Sequence, residues 1–197
     1  MFVTFEGIDG SGKSTQAQLL ADALRGEGHE VVLTREPGGT ELGDRIRDLV
    51  LHGPEMSPWA EAALFAAARA QLVEEVIAPA LAAGKHVVAD RYIDSSLAYQ
   101  GIARGLGVER VLELNLKTAR GLLPDRTFLV LIDPDEALRR GGRADRIEGE
   151  TQEFHAAVDD AYRELARMFP NRIETFDGTR PAPQLAESIR DRLRQRS

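Results

Sequence analysis

The chain has no cysteine, only three lysines and no long apolar run. Without cysteine there are neither disulfides nor thiolate metal sites. The apolar stretches are short and broken by charge, so none reads as a membrane span. The first residues carry no basic stretch ahead of an apolar one and are needed for a first strand. No secretory leader is expected, and the chain is expected in the cytoplasm. The four histidines, His29, His52, His86 and His155, are scattered without ligand spacing. A net charge of −7 argues against a surface for nucleic acid. The 197 residues are 43% hydrophobic and 29% charged, ordinary for a globular protein. They predict a single domain over 1–197 with ample core.

What the sequence does have begins at Gly7-Ile8-Asp9-Gly10-Ser11-Gly12-Lys13-Ser14. Two glycines flank four free positions, then Gly-Lys-Ser follows, which is the pattern of a phosphate-binding loop. Glycines let successive backbone N–H groups converge on phosphate oxygens. Lys13 brings a mobile point charge to the β/γ end of a triphosphate, and the Ser14 hydroxyl can ligate Mg²⁺. A glycine-rich turn could match by chance, but the context fits. Phe2-Val3-Thr4-Phe5 reads as a strand running into the loop, and helical apolar spacing starts directly after it. In a chain whose positive charge is nearly all arginine, Lys13 stands at the one place that wants a compact ammonium.

Strand and helix patterns then alternate. Strands are predicted over 30–34, 85–89, 127–132 and 172–176. Helices are predicted over 13–24, 40–52, 59–81, 94–104, 108–120, 151–168 and 181–194. The pattern gives an α/β fold, a five-stranded parallel sheet with right-handed crossovers and helices on both faces. Ligands of such sheets bind beyond the carboxyl ends of the strands. The unusual polar residues do follow the strands: the phosphate loop, Arg35-Glu36-Pro37-Gly38-Gly39-Thr40, Asp90-Arg91-Tyr92, Asp133-Pro134-Asp135, and Asp177-Gly178-Thr179-Arg180.

Arg139, Arg140, Arg143 and Arg146 fall within eight positions around Gly141-Gly142. They read as a lid over about 136–150, with glycine hinges and guanidiniums that close on a phosphoryl group in transfer. A kinase must keep water from that group, whereas a nucleotide switch needs no such lid. Phe65 and Arg69 share a helix face, a ring to stack on a base and a cation to bond its edge. Arg47 and Arg91 suggest a second phosphorylated ligand. Kinases of another nucleoside monophosphate, of a deoxynucleoside or of shikimate stay open on these residues, as does a nucleotide switch. No guanine-reading Asn-Lys-x-Asp sequence is present.

Together Phe5-Glu6-Gly7 through Thr15, Arg35 through Thr40, Leu64-Phe65-Ala66-Ala67-Ala68-Arg69, Asp90-Arg91-Tyr92 with Ser95, Ser96, Tyr99 and Gln100, and Asp145-Arg146-Ile147-Glu148 resemble the thymidylate kinase family along essentially the whole chain. The resemblance implies a P-loop nucleoside monophosphate kinase fold and transfer of the ATP γ-phosphoryl group to dTMP, in dTTP synthesis, with Mg²⁺ as cofactor and a homodimer as assembly. It implies that Gly7, Ile8, Asp9, Gly10, Ser11, Gly12, Lys13, Ser14 and Thr15 hold ATP, with Arg139 and Arg180 bordering adenine, and that Ser14 and Asp90 serve the metal. Phe65 stacks on thymine, Arg69 bonds its O4, and Ser96 and Gln100 lie at its edge. Tyr99 lies under the deoxyribose, Glu36 and Pro37 border the acceptor, and Arg47 and Arg91 hold its phosphate. Asp9 meets the 3′-hydroxyl or metal-bound water. Some members of the family carry arginine at the position of Gly10. Glycine there, with an arginine-rich lid, matches the bacterial type and makes Arg143 and Arg146 the catalytic cations beside Lys13, Arg91 and Asp9. The choice among Arg139, Arg140 and Arg143 stays open.

Overall fold

The computed structural model describes residues 1–140 and 145–195. Arg143 and the expected Gly141-Gly142 hinge lie outside the described residues. Five strands, β1 Phe2–Glu6, β2 Val31–Arg35, β3 His86–Asp90, β4 Arg126–Leu131 and β5 Ile173–Asp177, pair in the order β2-β3-β1-β4-β5. All four pairings are parallel. The sheet is wound to both sides of β1, so the chain's crossover point lies at the strand that feeds the glycine-rich loop.

β1 is buried on both faces, as its place in the middle of the sheet requires. Its period of two sends Val3 and Phe5 to one side and Phe2, Thr4 and Glu6 to the other. On the first side helices α1 (Lys13–Gly26) and α9 (Ala182–Arg194) pack Leu20, Leu24, Leu185 and Ile189 against Val3, Phe5 and Phe128. The second side is covered by α3 (Pro58–Leu72), α6 (Val108–Thr118), α8 (Gln152–Met168) and a short helix at Ile93–Ser96. α2 (Glu41–His52), capped by the Thr40 hydroxyl, packs on α3.

Two of the expected helices are interrupted by wider π turns. The helix predicted over 59–81 runs as α3, a π turn at Val73–Ile77 and a final turn at Ala78–Ala82. In a regular α-helix the Pro79 ring would strike the carbonyl of Glu75, and the π turn relieves that crowding. The helix predicted over 94–104 is a π helix over Leu97–Ala103, with Tyr99 and Gln100 inside it. π turns shift the register of the side chains that follow them, and they recur where a helix presents a functional face.

Arg139 and Arg140 end a helix, Pro134–Arg140, that the sequence reading missed. Its start is written in the chain. Asp133 accepts from the backbone N–H groups of Asp135 (2.9 Å) and Glu136 (3.4 Å), and Pro134 opens the first turn. The carbonyl of Ala137 in this helix rests against Gly10 (φ 80°), where an added Cβ would approach it to 2.4 Å. Gly10→Ala therefore combines a backbone clash with a strained left-handed conformation. The expected cost is about 1–3 kcal/mol of stability, read as a lowered thermal midpoint by calorimetry. A wild-type midpoint would show that the helix yields freely to the loop.

Candidate active site

The loop between β1 and α1 is held open by positive φ at Gly7, Gly10 and Gly12. Gly7 has no room for a side chain, because a Cβ would lie 2.5 Å from the Val130 carbonyl of the neighbouring strand. The Ile8 side chain is buried in the core, which anchors the loop. Lys13 is buried and its Nζ donates to Asp9 Oδ1 at 2.9 Å and reaches the Ile8 carbonyl at 3.4 Å. Ser14 and Thr15 lie exposed in the first turn of α1, so their hydroxyls are open to a ligand.

Asp9 also accepts from Arg91 Nη2 at 2.7 Å. Burial would raise the Asp9 carboxyl, but the Arg91 and Lys13 charges outweigh it and hold the group well below the usual carboxylate range. Burial and the nearby Arg91 charge pull the Lys13 ammonium down from its ordinary value. Arg91 stands at φ 70°, a conformation that non-glycine residues adopt at a cost. Its Nη1 donates to Ser95 Oγ (3.0 Å) and Tyr162 Oη (3.1 Å), its Nη2 reaches Tyr99 Oη at 3.5 Å, and its guanidinium lies over the Tyr99 ring.

Behind Arg91 sits Glu6, fully buried at the end of β1. Its carboxylate accepts from the Tyr92 and Ser95 backbone N–H groups and from the Ser95 and Tyr162 hydroxyls. Burial, reinforced by the Asp94 charge, pushes the Glu6 carboxyl up to about 7. Neither Glu6 nor Tyr162 had been given a role from the sequence. The signal for Tyr162 was faint: a hydroxyl on the stripe Val158, Ala161 and Leu165 that α8 buries.

Beside this network opens a cleft lined by Asp9, Glu36, Pro37, Arg47, Leu51, Phe65, Arg91, Ser95, Ser96, Tyr99, Gln100, Asp145, Ile147 and Glu148. All but one of the residues expected around the acceptor, Arg69, line it. Arg47 Nη1 donates to the Pro37 carbonyl at 3.0 Å. Burial and the Arg35 charge lower the Arg47 guanidinium from its ordinary value, and the Arg91 charge adds to that against Asp145 and Asp90. Arg47 and Arg91 thus bring two cations to a cleft that also carries the carboxylates of Asp9, Glu36, Asp145 and Glu148, the rings of Phe65 and Tyr99 and the Gln100 amide.

Three of the expected arginines have partners within the protein. Arg69 does not line the cleft. It is 1% exposed, and its five N–H groups are all used within the protein, on both Glu36 oxygens, Ser96 Oγ, Asn115 Oδ1 and the Tyr92 carbonyl. It meets a base only by surrendering one of these partners, and here it braces Glu36 and Ser96 from behind. Arg146 does not point at the phosphate loop. Its Nε donates to the Val50 carbonyl (2.8 Å) and its Nη2 to buried Glu61 (2.7 Å), because an acidic side chain facing it from α3 neutralises it there. Arg139 is exposed and paired only with Glu136, whereas Arg140 reaches the Gly178 carbonyl beyond β5 at 3.0 Å, near exposed Arg180.

Asp90 ends β3 in register with Phe5, beside the loop. Its Oδ1 is buried without a hydrogen-bond partner, as is the Ser11 hydroxyl. An orphaned carboxylate oxygen next to a phosphate loop fits a hydrated Mg²⁺, which binds through one or two carboxylates, waters and phosphate oxygens. Among the described residues no group of three or more acidic or histidine side chains could cage a metal.

The sequence pattern described as Thymidylate kinase matches residues 5–189. The chain belongs to the thymidylate kinase family. It is 48% identical over 180 residues to the thymidylate kinase of Caldanaerobacter subterraneus subsp. tengcongensis, covering 90% of this chain and 86% of that one. It is 51% identical over 198 residues to that of Leifsonia xyli subsp. xyli, covering 98% and 94%. The crystal structure of thymidylate kinase from Ehrlichia chaffeensis superposes with a TM-score of 0.76 at 36% identity, over 89% of this chain and 91% of that one. Membership makes the chain an enzyme, a dTMP kinase with the fold of the P-loop nucleoside monophosphate kinases. No helix among the described residues is long and apolar enough to cross a membrane.

The position of Glu6 sets a pH dependence. The folded protein holds this proton more tightly than the unfolded chain, whose ordinary value is 4.5, so the stability linked to Glu6 falls as pH rises from there to about 7. Melting wild type and Glu6→Gln from pH 4.5 to 8 should show the wild type losing on the order of 3 kcal/mol relative to the variant. Parallel pH curves would mean that Glu6 titrates normally.

Proposed function

We propose that the enzyme transfers the γ-phosphoryl group of Mg-ATP to dTMP, with the triphosphate on the glycine-rich loop and the monophosphate in the cleft, as a step of dTTP synthesis. One observation carries this reading: the Asp9 carboxylate is shared by Lys13 on the loop and Arg91 in the cleft, 2.9 and 2.7 Å away. Two anion sites that meet on one side chain are what in-line transfer between two phosphates needs.

The acceptor oxygen is a phosphate oxygen and already a nucleophile at neutral pH, so the protein's task is placement and charge. Backbone N–H groups from Gly7 to Thr15 and the N-terminal end of α1 cradle the triphosphate. Lys13 follows the γ-phosphoryl charge, and Arg47 and Arg91 hold the acceptor phosphate. Asp9, already bonded to both cations, keeps them apart and takes the 3′-hydroxyl. Ser14 and Asp90 would hold Mg²⁺, which would supply positive charge against the triphosphate. Phe65 stacks on thymine, and Ser96 and Gln100 lie at the base edge with Arg69 behind them. Tyr99 fills the space that a ribose 2′-hydroxyl would need. Arg143 is assigned the lid cation, and Arg140 and Arg180 the adenine border. The unit works as one domain with a lid rooted near 136–150. A homodimer in the cytoplasm is the accompanying expectation.

The test is ADP release from Mg-ATP with dTMP, dUMP, AMP, CMP, GMP and thymidine offered singly. A large response to dTMP, with dUMP weaker, is expected. A response to another acceptor would discard the assignments of Phe65 and Tyr99. Phe65→Ala should raise the dTMP KM about 10-fold or more and leave the ATP KM within about twofold, since one stacked base is worth roughly 1–3 kcal/mol. Equal effects on both constants would remove Phe65 from the base wall.

A further inference from the structure

Glu61 lies on α3 one turn before Phe65 and two before Arg69, and it is 2% exposed. Three side chains converge on its carboxylate. Gln100 Nε2 comes from the π helix at 2.9 Å, and the Arg104 guanidinium from the residue that follows it at 3.4 Å. From the segment at 145–150 comes Arg146 Nη2 at 2.7 Å. Glu150 of that segment pairs with Arg104 in turn, and the Arg146 backbone N–H donates to the Leu51 carbonyl. Burial alone would raise the Glu61 carboxyl. The hydrogen bonds from Gln100 and Arg146 and the Arg104 charge outweigh it, so the group is held below its ordinary value and stays ionised.

An ionised carboxylate only accepts hydrogen bonds. Gln100 must therefore turn its amide nitrogen toward Glu61, which leaves its amide oxygen for the cleft that Gln100 lines. Among the described residues no donor meets that oxygen. A base presented there has to offer an N–H. Thymine and uracil do so at N3, whereas cytosine has an acceptor at N3 and would set two acceptors face to face.

We propose that Glu61 is a positioning residue for base selection. It fixes the orientation of the Gln100 amide and, through Arg146 and the Arg104–Glu150 pair, ties the segment that roofs the cleft with Ile147 and Glu148 to the same point. The inference rests on the cleft being the dTMP site. It assigns selection against amino pyrimidines to a side chain that does not touch the base.

The experiment compares kcat and KM for dTMP, dCMP and ATP in wild type, Glu61→Gln and Glu61→Asp, with thermal midpoints recorded for each. Glu61→Gln can donate as well as accept, so the Gln100 amide is freed to reverse. The dTMP-over-dCMP ratio of kcat/KM should fall about 10-fold, the scale of one unsatisfied buried group, while the ATP KM stays within about twofold. Glu61→Asp still only accepts and should keep most of the ratio. A Glu61→Gln enzyme that melts early and loses turnover with both acceptors equally, its ratio intact, would reduce Glu61 to a structural role and overturn the proposal. Should that variant fail to fold, Gln100→Leu leaves the charge cluster in place and should lower the same ratio. An unchanged ratio there would overturn the proposal too. A wild type without preference for dTMP would instead sink the reading of the cleft itself.

Discussion

A guanidinium held away from bulk water needs acceptors, and the surroundings of Arg91 are arranged to supply them. Its backbone is fixed in a left-handed conformation by a hydrogen bond to the Phe5 carbonyl. Its side chain spans Asp9 on one side and Ser95 and Tyr162 on the other. Those two hydroxyls are in turn donors to Glu6. The chain of bonds starts in the central strand, so the cation is indexed to the sheet rather than to a loop. Lys13 is indexed to the same carboxylate, Asp9, from the opposite side. The separation of the two cations is thereby set by one aspartate and two strand ends, and little of it is left to surface chemistry.

A second layer stiffens the first. Arg69 and Glu36 form a buried pair whose remaining donors go to Ser96, Asn115 and the Tyr92 carbonyl. Burying such a pair gains little stability by itself, since desolvation offsets attraction. Its effect is geometric. Glu36, the Tyr92–Ser96 stretch and Asn115 on α6 come from three different parts of the chain, and Arg69 holds them at fixed separations behind one wall of the cleft.

The strand–helix order, the parallel sheet and the phosphate loop were legible in the sequence. β3 and β4 carry the apolar runs Val87-Val88-Ala89 and Phe128-Leu129-Val130-Leu131, and the loop's glycines stand between a strand pattern and a helix pattern. The cleft was legible where residues adjoin a strand end, as at Arg91, or share a helix face, as Phe65 does with Arg69, the first lining the cleft and the second standing behind it. Its supports were not. Tyr162 and Asn115 reach the site from helices far along the chain, and only packing brings them there. The Arg146 pairing was not legible either, since its partner Glu61 lies 85 positions away. Nor does any spacing rule reveal how many of the five Arg69 donors are already taken within the protein. The Pro134–Arg140 helix could have been found from Asp133-Pro134, a cap followed by a first-turn proline.

The contact between Gly10 and the Ala137 carbonyl bears on how this enzyme can change. A side chain at position 10 has nowhere to go while the Pro134–Arg140 helix stays where it is. An arginine in the loop and an arginine in the lid are therefore not two doses of the same remedy. Moving from one to the other requires the loop and the helix to be altered together, and either change alone passes through a poorer protein. The two arrangements behave as separate peaks on a mutational landscape, and one missing methyl group keeps this chain on its own.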